Sequence, residues 1–318
     1  MILTIGLFLI GFILITKGAD IFIDSTISVG KKTNIPEIIL GATIVSLATT
    51  LPELTVSVCS SIKGYTTMSL GNAVGSIICN TGLALGLVAI IKPFRIEKKV
   101  FNSKAILLMI SIIILIVLGL DKVIDRKDAM ALMGMLIIYM VNNYKSIAKT
   151  KMKSVPNTNI INERKSFDIL KISSLFIIGI IMMIIGSRLL VDNGIKIAEF
   201  IGVPQGIISL TVIALGTSLP ELVSCLTAIK KKHNAISVGN ILGANILNIV
   251  SVISISSFIN DTPILKQTSM IDFPFMIILV LILIIPTIIK EKIYRLQGFL
   301  MIFTYLLYLF VLYFTYIK

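Results

Sequence analysis

Two glutamates stand in closely matched settings. Glu53 lies in Thr-Thr-Leu-Pro-Glu-Leu at 49–54 and Glu221 in Thr-Ser-Leu-Pro-Glu-Leu at 217–222. Thr49, Thr50 and Glu53 fall within one helical turn of each other, as do Thr217, Ser218 and Glu221, so hydroxyl and carboxylate oxygens converge at each place. Some twenty-five residues on, Ser76 and Asn80 are four apart and share a helix face. The matched positions in the second setting are Ala244 and Asn248. Every donor in this set is an oxygen, which suits a hard cation. Ca²⁺ takes six to eight oxygens in flexible geometry, Mg²⁺ demands a tight octahedron, and softer metals favour His or Cys. Two ionised glutamates neutralise one Ca²⁺, and Na⁺ is close to it in size, so the two ions can compete for overlapping oxygens. Spacing alone leaves the identity of the ions open. Cys59, Cys79 and Cys225 show no metal-like spacing and read as packing residues, and His233, the only histidine, follows three lysines in a connection.

Pro52 and Pro220 immediately precede the glutamates. Proline lacks an N–H and crowds the carbonyl one turn earlier, so each helix is predicted to break there. The carbonyls of Ala48 and Gly216 lose their usual donor, and those near Ser46 and Ala214 are expected to tilt out with them. A bound cation or a neighbouring hydroxyl can satisfy such oxygens.

The elements that position these residues lie in lipid. With 56% hydrophobic and only 14% charged residues over 318 positions, the chain cannot make a water-soluble globule of ordinary surface. Ten apolar stretches, at about 2–22, 36–62, 66–92, 103–120, 128–143, 168–191, 205–230, 235–259, 270–289 and 294–316, approach or reach spanning length. They are continuously apolar rather than alternating, so they predict helices and an all-α integral membrane protein. The first stretch has no cleavage signature and reads as a retained helix. Of the sixteen acidic residues only Glu53 and Glu221 fall deep within a stretch. A carboxylate at that depth is costly unless it faces a cavity or a cation, which marks the pair as functional. The formal charge of +13 sits in the connections, at Lys31 and Lys32, 92–104, 145–171, Lys230 to Lys232 and 290–295. This distribution is a topology signal rather than a nucleic-acid footprint, and places both termini outside the cell membrane with anionic headgroups facing the basic loops.

The chain also repeats itself. A shift of 168 residues, without gaps, lays Gly11 on Gly179, Gly18 on Gly186, Asp24 on Asp192, Pro36 on Pro204 and Thr43 on Thr211. It then lays 49–54 on 217–222, and Ser69, Gly71, Asn72, Gly75 and Asn80 on Ser237, Gly239, Asn240, Gly243 and Asn248. The glycines spaced by four suit close helix approach. Each unit holds five spans, an odd number, so the second unit enters the membrane inverted, with broken helices meeting at the ion site. Inverted units around a midplane site are a frequent plan in secondary transporters. The reading divides the chain into a first repeat at 1–143, a polar, basic cytoplasmic linker at 144–167 and a second repeat at 168–318.

The strings GATIVSLATTLPEL at 41–54, TVIALGTSLPEL at 211–222, GNAVGSIICN at 71–80 and GNILGANILN at 239–248 resemble the two alpha-repeats of the cation/Ca²⁺ exchanger superfamily, and among its branches the prokaryotic Na⁺/Ca²⁺ exchangers. The resemblance implies ion ligands at Thr49, Thr50, Glu53, Ser76 and Asn80 in one half and Thr217, Ser218, Glu221 and Asn248 in the other, joined by the main-chain oxygens of Ser46 and Ala214. It implies electrogenic antiport of several Na⁺ for one Ca²⁺, with the first and sixth helices sliding over a static core. Three positions depart from or refine the pattern. Ala244 stands where a serine is common, Ile77 replaces a usual asparagine that Asn245 keeps in the other half, and Asn248 stands where K⁺-dependent relatives carry Asp, which argues against K⁺ co-transport.

The nearest alternative is Ca²⁺/H⁺ antiport, whose branch has differently worded motifs. An intramembrane hydrolase is remote, since no stretch carries a histidine, a zinc-protease helix or an aspartate pair. No enzyme activity, cofactor, nucleic acid or obligate protein partner is expected; the partners are Na⁺, Ca²⁺ and the bilayer.

Overall fold

Lipid gives apolar helices little reason to associate, so packing among them depends on small residues and polar contacts. The computed structural model describes residues 1–153, 163–201 and 214–317. Helix α1 (Ile2–Thr33) ends where Asn34 turns left-handed (φ 55) ahead of Pro36, a common helix stop. Helices α2 (Glu37–Thr49) and α3 (Leu51–Ile62) meet at a 42° bend. Then follow α4 (Thr66–Ile91), α5 (Lys98–Leu118), α6 (Arg126–Lys153) and α7 (Glu163–Phe200). The second half continues with α8 (Ala214–Thr217), α9 (Leu219–Lys230), α10 (Asn234–Ile259), α11 (Thr268–Lys290) and α12 (Arg295–Ile317).

Among the described residues, seven helices are long and apolar enough to cross a membrane, and the bent α2–α3 pair makes an eighth. Helix α6 occupies the predicted stretch 128–143, but Asn142, Asn143 and its basic ends dilute its apolar character. Helices α8 and α9 lie in the stretch 205–230, of which 205–213 lie outside the described residues. The predicted linker 144–167 is entered by helix from both sides, α6 running to Lys153 and α7 starting at Glu163.

Helices α4 and α10 are the most enclosed, whereas α1 and α7 turn most of their surface outward. These two outer helices pack on each other along a long seam, and glycine makes the approach possible. A Cβ added at Gly18 would lie 2.9 Å from the Gly179 carbonyl, and one at Gly186 would lie 2.8 Å from the Gly11 carbonyl. The two crossings exchange under the 168-residue shift. Helix α2 likewise runs backbone to backbone against α10, Gly41 on Ile236 and Gly239, and Gly239 on Ile38. The expected tight packing holds at Gly239 and Gly243, but Gly71 and Gly75 have no atom within 4 Å of a modest side chain's first carbon.

Three features depart from the sequence expectation. Two short antiparallel ladders supplement the helices: β1 (Phe94–Arg95) with β4 (Lys292–Ile293), and β2 (Val123–Ile124) with β3 (Thr262–Pro263). Each ties a connection of one half to a non-equivalent connection of the other, satisfying backbone groups that a loop would leave to water. Lys104, expected at the solvated rim, is buried in α5, where its ammonium donates to Asn142 (3.2 Å) and Asn143 and lies 5.5 Å from the Tyr139 ring. Amide oxygens and a ring face replace water as its partners. Finally, Cys59 is exposed rather than packed, while Cys79 and Cys225 are buried; none is disulfide-bonded.

Candidate cation-binding site

Proline sets the local geometry. Pro52 and Pro220 each occupy the first turn of a helix, α3 and α9, where a missing N–H costs nothing because that donor has no intrahelical partner. Glu53 and Glu221 then fall in the same first turns, at the positive ends of two helix dipoles, which favours carboxylate there. The chain before each break ends a helix, so α2 and α8 direct carbonyl ends toward the same region.

The first break is a tight kink at Thr50 rather than an unwound stretch. Proline removes only the donor to Ala48, so the ladder survives one residue earlier: the Thr50 N–H donates to the Ser46 carbonyl at 3.0 Å, and Leu54 N–H to the Thr50 carbonyl at 3.0 Å. The Ser46 oxygen therefore keeps a main-chain donor and has one lone pair to spare. In the second half the carbonyl freed at Gly216 is met by the Ser187 hydroxyl of α7 at 2.6 Å. The main chain of Ala214 opens α8; its side chain lies outside the described residues.

Glu53 and Glu221, one from each half, are both fully buried. Although the Thr49 hydroxyl lies beside Glu221, none of the four carboxyl oxygens makes a well-formed hydrogen bond. The same is true of the Thr50, Ser76 and Ser218 hydroxyls and of both polar side-chain atoms of Asn80 and Asn248. Buried polar atoms are normally satisfied, so a concentration of orphans on the predicted ligands is a feature to explain. Thr49 and Thr217 differ: Thr49 Oγ1 donates to Asn240 Oδ1 at 3.1 Å and Thr217 Oγ1 to Asn72 Oδ1 at 3.2 Å. Ala244 is fully buried where Ser76 stands in the other half. No group of three or more His, Cys, Asp or Glu occurs among the described residues, which leaves an oxygen-rich set suited to a hard cation.

No residue pattern announces the π-turns. Asn80–Leu85 in α4 and Asn248–Ile253 in α10 are matched π-helical segments, each starting on a predicted ligand. A third, Gly41–Val45, precedes Ser46, and the Tyr139 hydroxyl donates to its Ala42 carbonyl. Such turns widen a helix locally and recur at functional sites. Asn72 and Asn240 also come to the site, although their repeat match alone marked them; their place four residues before Ser76 and Ala244 puts them on the same helix face.

The sequence matches the family described as sodium/calcium exchanger protein over residues 3–145 and 171–314. The chain belongs to this family. It is thus a multi-pass membrane antiporter of the cation/Ca²⁺ exchanger superfamily, and its relatives are transporters rather than enzymes. The exchanger is 32% identical to MJ0091, a membrane protein of Methanocaldococcus jannaschii, over 83% of this chain and 84% of that one. It is 26% identical to the sodium/calcium exchanger MaX1 of Methanosarcina acetivorans, covering 96% and 97% of the two chains. The solved structure of the sodium-calcium exchanger NCX_Mj soaked with Na⁺ and Sr²⁺ superposes with a TM-score of 0.84 at 31% identity, covering 96% of this chain and 97% of that one.

Proposed function

We propose that this exchanger moves Ca²⁺ against Na⁺ across the cell membrane by alternating access. Ten membrane-crossing segments in two inverted five-helix repeats, with both termini outside, surround the site. Glu53 and Glu221 carry the charge that one Ca²⁺ or competing Na⁺ neutralises. Thr49, Thr50, Ser76 and Asn80 from one half, Thr217, Ser218 and Asn248 from the other, and the carbonyls of Ser46 and Ala214 complete the oxygen shell. The observation that carries this reading is the pair of buried carboxyl groups, one from each half, with no well-formed hydrogen bond on any oxygen. In lipid such a pair is tolerable when cations occupy the space between.

Pseudo-symmetric contacts support the inverted plan. The Thr49–Asn240 and Thr217–Asn72 bonds, the paired glycine crossings of α1 and α7, and the two ladders all exchange when the halves are exchanged. Relatives named as sodium/calcium exchangers support Na⁺ as the coupling ion.

The test is isotopic flux in reconstituted vesicles. Vesicles loaded with Na⁺ and diluted into Na⁺-free medium are expected to accumulate ⁴⁵Ca²⁺, and Glu53→Gln or Glu221→Gln to abolish uptake while the protein stays folded. Uptake driven equally well by a proton gradient without Na⁺ would move the protein to the H⁺-coupled branch.

A further inference from the structure

Asn72 and Asn240 occupy the same repeat position, and each bonds both within its own half and across to the other. Asn240 is buried; its Nδ2 donates to Ser224 Oγ of α9 at 3.0 Å, while its Oδ1 accepts the Thr49 hydroxyl at 3.1 Å. Asn72 is partly buried; its Nδ2 donates to Ser57 Oγ of α3 at 3.0 Å and to the Glu53 carbonyl at 3.3 Å, while its Oδ1 accepts the Thr217 hydroxyl at 3.2 Å. The intra-half contacts fix each amide's orientation: a flipped Asn72 would set its oxygen against the Glu53 carbonyl, and a flipped Asn240 would set its oxygen against Ser224 Oγ, whose hydrogen goes to the Glu221 carbonyl.

The direction of the threonine proton matters. A hydroxyl carries one hydrogen and two lone pairs, and it ligates a cation only with its hydrogen turned away. Thr49 lies one turn before Glu53 on the kinked segment; besides Asn240, its hydroxyl has the Ser46 carbonyl, 3.5 Å away and already taking the Thr50 N–H, and the Glu221 carboxyl within reach. Asn240 is thus the acceptor that lets Thr49 present lone pair rather than hydrogen to an ion. Without it the hydrogen is free to turn to a carboxylate and occupy the cation's place.

We infer that Asn72 and Asn240 are positioning residues for the cation, each fixing the hydroxyl of the opposite half's ligand threonine. Neither is a ligand in this account, and each acts through one partner: Asn240 through Thr49, Asn72 through Thr217. The clamp also makes each half's ligand geometry depend on a helix of the other half, α10 for Thr49 and α4 for Thr217, so the two sides of the site are set together. The assignment rests on the cation-site reading above.

Outer groups that orient metal ligands commonly contribute 10–100-fold in affinity. The test is a double-mutant cycle read as Ca²⁺ affinity by calorimetry on the purified full-length chain, with thermal unfolding monitored alongside. Asn240→Ala is expected to weaken Ca²⁺ binding by roughly 10-fold or more. In a Thr49→Val background the same change is expected to cost less than about twofold, and in a Thr217→Val background its full effect. Asn72→Ala gives the mirror result, coupled to Thr217 and independent of Thr49, and reads the same question where Asn240→Ala fails to fold. A full loss from Asn240→Ala in both threonine backgrounds overturns the assignment while leaving the cation site intact, provided that wild type binds Ca²⁺ and Glu221→Gln does not. A wild-type chain that binds no Ca²⁺ overturns the site reading, and this assignment with it.

Discussion

At the scale of residues, the informative contrast is between ligands that are orphaned and neighbours that are satisfied. Ser46 Oγ, Ser224 Oγ and Ser254 Oγ all return their hydrogens to main-chain carbonyls one turn back, as serines inside helices commonly do. Thr50, Ser76 and Ser218 do not. Ala244 is the asymmetric member of the set, a methyl where the other half offers Ser76. Restoring a hydroxyl by Ala244→Ser is expected to lower the Na⁺ concentration for half-maximal ⁴⁵Ca²⁺ uptake by about threefold to tenfold, the scale of one added polar contact. An unchanged Na⁺ dependence would show that the position does not face the ions. The carboxylates, hydroxyls and amides of the site were legible in the sequence because proline, glutamate and the matched repeat fixed their register. The direction of the threonine protons was not, since it depends on an amide some 191 residues away in one half and 145 in the other.

Among elements, the helix breaks were legible and their form was not. Proline announces where a helix restarts, but whether the preceding carbonyls unwind or hold depends on donors elsewhere: Thr50 N–H for Ser46, Ser187 for Gly216. The π-turns in α2, α4 and α10 had no signature, because no residue type demands that hydrogen-bond pattern. The outer helices present the clearest mechanical test. A side chain at Gly18 would meet Met182 and the Gly179 carbonyl at 2.8 and 2.9 Å. Gly18→Val is therefore expected to cost roughly 1–3 kcal/mol, lower the unfolding temperature, and slow exchange while sparing Ca²⁺ affinity, since α1 contributes no ligand. Flux and calorimetry on the same preparation check this. Equal loss of affinity and rate would tie α1 to the site itself.

Across the whole molecule, the halves match in sequence but differ in their ionic contacts. Lys231, in the connection between α9 and α10, reaches Asp24 of α1 at 2.7 Å and Asp20 at 3.5 Å. The repeat-related residues, Lys63 and Asp192, form no ion pair among the described residues. If alternating access exchanges the conformations of the halves, one pair closes as the other opens. Cysteine pairs at 24 with 231 and at 63 with 192 are then expected to cross-link in different conditions of Na⁺ and Ca²⁺, and cross-linking of either pair to stop transport. Simultaneous cross-linking of both in transporting protein would refute a two-state exchange.

Beneath these readings lies one requirement, that Ca²⁺ and Na⁺ take turns between Glu53 and Glu221. Calorimetric titration of the purified exchanger with Ca²⁺, at rising Na⁺, measures it most directly. The account predicts saturable Ca²⁺ binding that weakens steadily as Na⁺ rises and disappears when both glutamates are replaced by glutamine. Ca²⁺ binding of undiminished strength in that double variant, or binding indifferent to Na⁺, would contradict it.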